Sequence, residues 1–137
     1  MSTIVVGIDG SKHGEAALEF AAKEAALRGA DLRVVYAWEQ SMITVSALNK
    51  ESVDRFEDDA DKFVAAALAR VAELQPQVRT EGKVVAGQPV QVLLNEAENA
   101  TMLVVGARGR GGFASLLLGS VSQQLVQHAT RPLVIVR

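Results

Sequence analysis

The sequence predicts a doubly wound α/β domain: a parallel sheet with helices on both faces. Two patterns carry that expectation. Short Val-, Ile- and Leu-rich runs of strand length recur along the chain, and between them lie longer stretches whose apolar residues repeat with helical spacing. Runs that are apolar throughout, rather than at alternate positions, belong to strands buried on both sides. The chain has 137 residues, 49% of them hydrophobic and 22% charged, which suits a single domain over residues 1–137 with a substantial core.

The first strand is Thr3 to Ile8. A helix from Lys12 to Arg28 follows, with Leu18, Ala21, Ala22 and Ala25 on one face and Glu19/Lys23 and Glu24/Arg28 as i,i+4 pairs. Ser11 is its expected cap and Gly29 its stop. Leu32 to Trp38 is the second strand. Glu51 to Leu74 forms a long helix whose buried stripe is Val53, Phe56, Ala60, Phe63, Ala67, Val71 and Leu74, and Pro76 lies beyond its end. Val84 to Ala86 is a short third strand. The next helix opens at Pro89, a residue suited to a first helical position, and sets Val90, Leu93, Leu94 and Ala97 on one side. Met102 to Gly106, a helix from Gly119 to His128, and Leu133 to Val136 after Pro132 complete the pattern. Right-handed crossovers close it into one sheet.

Global properties narrow the function. A net charge of −2 draws the chain to neither nucleic acid nor an anionic membrane. With no cysteine there is no disulfide, thiolate nucleophile or Cys-bound metal. The N-terminal Met-Ser-Thr-Ile-Val-Val-Gly has no basic leader, and no apolar run approaches the ~20 residues of a bilayer span, so a cytoplasmic protein is expected.

Open α/β sheets bind ligands beyond the carboxyl ends of their strands, at the point where the strand order reverses. With the first strand beside the fourth, two loops share that crevice: Asp9-Gly10-Ser11, and the run from Gly106 through Arg108, Gly109, Arg110, Gly111 and Gly112 to Gly119-Ser120. The second loop suits an anion. Its glycines let backbone N–H groups turn inward, and the following helix directs its positive end at the ligand. Past Glu98 no acidic residue occurs, whereas Arg108, Arg110, Arg131 and Arg137 do. As glycines alone, the run is equally a plain connection, with Leu116 to Leu118 in the core and the arginines in solvent.

Two familiar phosphate motifs do not fit. Gly109-x-Gly111-x-x-Ala114 matches a dinucleotide fingerprint by letter but lacks the following βαβ unit and its acidic residue. A P-loop needs Gly-Lys followed by Ser or Thr, and Gly82-Lys83 is followed by Val84.

The spacing Gly106, two residues, Gly109, nine residues, Gly119-Ser120 resembles the ATP-binding signature of the universal stress protein family. Ile-Val-Val-Gly-Ile-Asp-Gly-Ser at the start, Val-Val-Tyr-Ala-Trp, Ala-Gly-Gln-Pro and the closing Arg-Pro-Leu-Val-Ile-Val extend the likeness along the whole chain. The resemblance implies an adenine nucleotide alpha hydrolase-like fold, a five-stranded parallel sheet in the order 3-2-1-4-5. It also implies a homodimer, and ATP, with or without Mg2+, as bound ligand rather than rapidly consumed substrate. By the same resemblance, Asp9, with Gly10 and Ser11 in its loop, holds the ribose or adenine end, and the backbone near Ala37 reads the adenine edge. Gly106 lies near the ribose. Gly109, Gly119, Ser120 and the Val121 backbone hold the phosphates, with Ser122 a weaker ligand and Arg108 and Arg110 beside them. The connection from Glu39 to Lys50 is shorter than in many relatives.

Other residues have simpler readings. Asp9 also suits a helix-initiating carboxylate. His13 is too near Ser11 and Asp9 in sequence to assemble a triad by itself, and His128 suits the negative end of its helix, so both are read as structural. Glu57, Asp58, Asp59 and Asp61 form a solvated helix surface, and Tyr36 and Trp38 are assigned to packing. The function expected is a nucleotide-responsive regulator of a stress response, dimeric through its last strand, Leu133 to Val136. Two alternatives stand beside it: a weak ATP hydrolase or phosphotransferase, and a dimeric interaction module that binds no nucleotide or a cyclic one.

Overall fold

A computed structural model of the chain describes residues 2–38, 50–109 and 118–137, with the backbone alone over 50–57. Among these residues strands and helices alternate as β1 (Thr3–Ile8), α1 (Lys12–Arg28), β2 (Asp31–Trp38), α2 (Lys50–Leu74), β3 (Thr80–Ala86), α3 (Pro89–Glu96), β4 (Met102–Gly106), α4 (Ser120–His128) and β5 (Leu133–Val136). The strands form one sheet in the order β3-β2-β1-β4-β5, and every pairing is parallel.

Alternation along the strands sorts side chains into two cores. Ile4, Val6, Leu32, Val34, Met102 and Val104 pack with Leu18, Ala21, Ala22 and Ala25 of α1 and Ala67 and Val71 of α2. Val5, Val35, Leu103 and Val105 point the other way, onto Val90, Val92 and Leu93 of α3 and Leu125 of α4. Ile4, Leu32, Leu103 and Leu125 are essentially inaccessible to solvent, so truncating any of them to alanine would cost about 2–5 kcal/mol. The sheet is therefore a rigid floor, and its register sets the site. Ile8 pairs with Tyr36 and Val6 with Val104, while Gly106 pairs with Val136.

The local signals for the first helix act as expected. The Ser11 hydroxyl accepts from the Gly14 N–H at 3.1 Å, and Gly29 at φ 63° ends α1. Arg28 pairs with Glu24 at 3.0 Å.

Four expectations need correction. Glu19 does not serve an intrahelical pair: its carboxylate reaches Arg70 of α2 at 2.8 Å and joins two helices. In the stripe of α2, Leu74 is 37% exposed whereas Val64, left out of it, is buried. Val53 and Phe56 lie outside the residues whose side chains are described. The third strand starts at Thr80 rather than Val84 and is exposed over Glu81, Gly82 and Lys83. An edge strand can carry polar residues over its first half, and the apolar run Val84 to Ala86 covers only its end. Arg33 on β2 donates to Glu81 at 2.6 Å, and that hydrogen bond holds the Glu81 carboxyl below its ordinary range. Finally, α4 begins at Ser120, with Gly119 as its cap residue.

Candidate functional site

Strands β1 and β4 are neighbours, so the loops leaving their carboxyl ends meet. The first loop is built around the Asp9 carboxylate. Its Oδ1 accepts from the Ser11 N–H at 2.9 Å and from the Ser11 hydroxyl, which in turn caps α1. Gly10 takes φ 83°, a left-handed conformation that suits glycine. A Cβ there would lie 3.0 Å from the Phe63 ring. The helix-initiating role expected of Asp9 is thus present through Oδ1. Its second oxygen, Oδ2, faces the other loop: a Cβ on Gly109 would overlap it.

The second loop is closed at its base. The Gly119 N–H donates to the Ala107 carbonyl at 2.7 Å, and the Ala107 N–H donates to Val136 of β5 at 2.7 Å. The buried Ser122 hydroxyl donates to the same Ala107 carbonyl at 2.7 Å and to Gly119 at 3.2 Å. Ser122 therefore directs its hydroxyl inward, at the frame of the loop. Gly106 is needed for a close approach, because a Cβ on it would meet the backbone of His13 at 2.7 Å. Arg108 extends its Nη2 to 3.4 Å from His13 Nε2.

Helix α4 differs from α1 and α3 at its start. Ser11 and Gln88 each accept from a backbone N–H of the helix they precede, but Gly119 contributes no side-chain cap. The first intrahelical bond is Gln123 N–H to Gly119 carbonyl at 3.0 Å. The N–H groups of Ser120 and Val121 thus begin a helix whose positive end is directed at the crevice. Ser120 is exposed and Val121 half-buried.

Ala37 is the residue after Tyr36, as Asp9 is the residue after Ile8, and Ile8 pairs with Tyr36. Ala37 and Asp9 therefore stand side by side at the end of the sheet. Tyr36 stacks on Phe63 of α2 with ring centroids 5.7 Å apart and planes 5° apart, the packing role expected of it. A cavity of about 430 Å³ lies under the first loop, between α1 and α2, lined by Ile8, Gly10, Leu18, Phe63 and Ala67 among others. Gly10 and Ser11 belong to its wall, and among the described residues none of the glycine loop does. His128 occupies the last turn of α4, as expected.

The structure thus brings Asp9, Gly10, Ser11, Ala37, Gly106, Arg108, Gly109, Gly119, Ser120 and Val121 to one end of the sheet, with Ser122 behind them. Arg110, Gly111 and Gly112 lie outside the described residues. Sequence reasoning missed the placement of His13. Its spacing from Asp9 shows only a helical turn, and the signal that could have found it is Gly106, a glycine at a strand end where a helix start must come close. Among the described residues no group of three or more His, Asp or Glu could hold a metal ion.

The model of the universal stress protein family matches residues 1–137. The chain belongs to the universal stress protein family. A universal stress protein of Mycolicibacterium smegmatis is 38% identical over 136 residues, covering 98% of this chain and 45% of that protein. The chain thus spans about half the length of the curated relatives it matches. Among solved structures, a universal stress protein from Archaeoglobus fulgidus superposes with a TM-score of 0.81 at 24% identity, over 100% of this chain and 99% of the other. A universal stress protein in complex with cAMP superposes with a TM-score of 0.77 at 27% identity, over 99% and 96% of the two chains. The expected fold and family both hold.

Proposed function

We propose that this chain binds ATP in the crevice between the β1 and β4 loops and acts as a nucleotide-responsive regulator. One observation carries the reading: the glycine-capped start of α4 is held by the 2.7 Å Gly119–Ala107 hydrogen bond at the mouth of a crevice shared with the Asp9 loop. A helix start without a side-chain cap, beside glycines that admit close backbone approach, is suited to phosphate oxygens. The related protein solved with cAMP supports an adenine nucleotide as the ligand class.

In this reading Asp9 accepts from the ribose hydroxyls beside Gly106, and the backbone at Ala37 meets the adenine edge. Gly109, Gly119, Ser120 and the Val121 N–H hold the phosphates, with Arg108 and Arg110 supplying positive charge. Ser122 supports the Ala107–Gly119 frame and touches no phosphate. Mg2+ arrives on the triphosphate, which is where this ion is usually held. The chain works in the cytoplasm as a homodimer joined through β5. Among the described residues that strand is an edge paired with β4 alone, and it is half-buried along its length.

Thermal unfolding with Mg-ATP tests the proposal. A ligand at about 100 times its dissociation constant adds roughly 2.7 kcal/mol, so the midpoint should rise by several degrees, and no rise at millimolar ATP would overturn the reading. Mass spectrometry of the gently purified protein should find ATP or ADP retained.

A further inference from the structure

We infer that His13 is a positioning residue that holds Arg108 for the outer phosphates of a nucleoside triphosphate, so that this pair makes the site prefer ATP to adenosine. The inference rests on the ATP reading above and deepens it. The Arg108 backbone belongs to the α4 side of the crevice: its Cα would lie 3.3 Å from a Cβ on Gly119. Its guanidinium reaches across to α1, where Nη2 is 3.4 Å from His13 Nε2. One side chain therefore spans the crevice from one helix start to the other.

The chemistry of the pair fixes its polarity. A guanidinium only donates, so Nε2 is the nitrogen that accepts in this contact. The other ring nitrogen, Nδ1, is buried and makes no hydrogen bond among the described residues. Among the described residues, the polar contact that the ring does make is with the guanidinium. The start of the His13 side chain is held in place, because its backbone and Cβ pack so closely on Gly106 that a Cβ on that glycine would come within 2.7 Å of the His13 backbone. A long arginine side chain loses considerable rotamer freedom when an anion recruits it. An acceptor that orders it beforehand removes part of that loss from the binding step. Adenosine, having no phosphate, gains nothing from it.

Among the described residues, the charged groups next to the pair along their elements are Asp9 after β1, Lys12 and Glu15 on α1, and Arg137, which follows the β5 partner of Gly106. Asp9 is committed to the Ser11 turn through Oδ1.

A double-mutant cycle on the full chain tests the inference, with ATP and adenosine as titrants in calorimetry. His13→Leu should weaken ATP about tenfold and adenosine less than twofold, the range of coupling seen between contacting residues. His13→Gln, which keeps an acceptor for the guanidinium, should restore most of the ATP affinity. In an Arg108→Gln background His13→Leu should have no further effect. Equal losses for ATP and adenosine, or an undiminished loss in that background, would show a merely structural histidine and overturn the inference. Where His13→Leu does not fold, His13→Ala takes its place in the cycle. Wild-type protein that binds neither ligand overturns the ATP reading and this inference together, whereas tight ATP binding unchanged in every His13 variant overturns the inference alone.

Discussion

Ser122 donates its hydroxyl to the Ala107 carbonyl at 2.7 Å, the same oxygen that accepts the Gly119 N–H. One carbonyl thus joins the end of β4, the start of α4 and the first turn of that helix. Ser122→Ala removes one of the two donors while the oxygen keeps the other. The expected loss of stability is about 1 kcal/mol, with ATP affinity reduced because the helix start is less firmly held. Chemical denaturation and calorimetry on the same variant check both. Unchanged ATP affinity would mean that the frame is held without this hydroxyl.

Gly109→Ala places a methyl group where Asp9 Oδ2 now lies. Either the carboxylate or the loop must shift, so ATP binding should fall by about tenfold or more. Stability should change by no more than the 1–3 kcal/mol typical of overpacking. A variant that binds ATP as the wild type does would separate Asp9 from the nucleotide.

Glu81 gives a pH prediction with a definite sign. Its carboxyl, paired with Arg33, titrates below its ordinary value of 4.5 in the folded chain. A lowered folded value means that the pair stabilises fully above that value and that its contribution fades as acid passes through the folded one. Glu81 is 57% exposed, so screening keeps the contribution under about 1 kcal/mol. Glu81→Gln should therefore be slightly less stable than the wild type at pH 7, and the two should converge as acid protonates the folded carboxyl. Denaturant midpoints across that range check it.

Light scattering should report twice the 14.6 kDa chain mass at micromolar concentration if β5 pairs with a second copy. A stable monomer at that concentration would remove the edge-strand interface.

How much of this was legible in the sequence depended on which force placed each residue. Burial leaves a periodic trace, so the strands β1, β2, β4 and β5 and the faces of α1 and α3 were readable. Capping is local, so Ser11 and Gly29 were readable as well. The start of β3 was not, because Thr80 to Lys83 is held in the sheet by backbone pairing with Leu32 to Val35 and carries no apolar signature. Glu19 was misassigned because its partner Arg70 is remote in sequence. At the site, the glycine spacing pointed to the loop, but the inward turn of the Ser122 hydroxyl and the arrival of His13 beside Arg108 are set by how α4 and α1 dock on the sheet. Neither follows from neighbours along the chain.

The Ala107–Gly119 hydrogen bond closes the loop with a clamp. The clamp is anchored to β5 through the Ala107 N–H and to α4 through Ser122, so one residue ties the edge of the sheet to the start of the helix. A pull on either end of the loop is therefore passed to both elements at once.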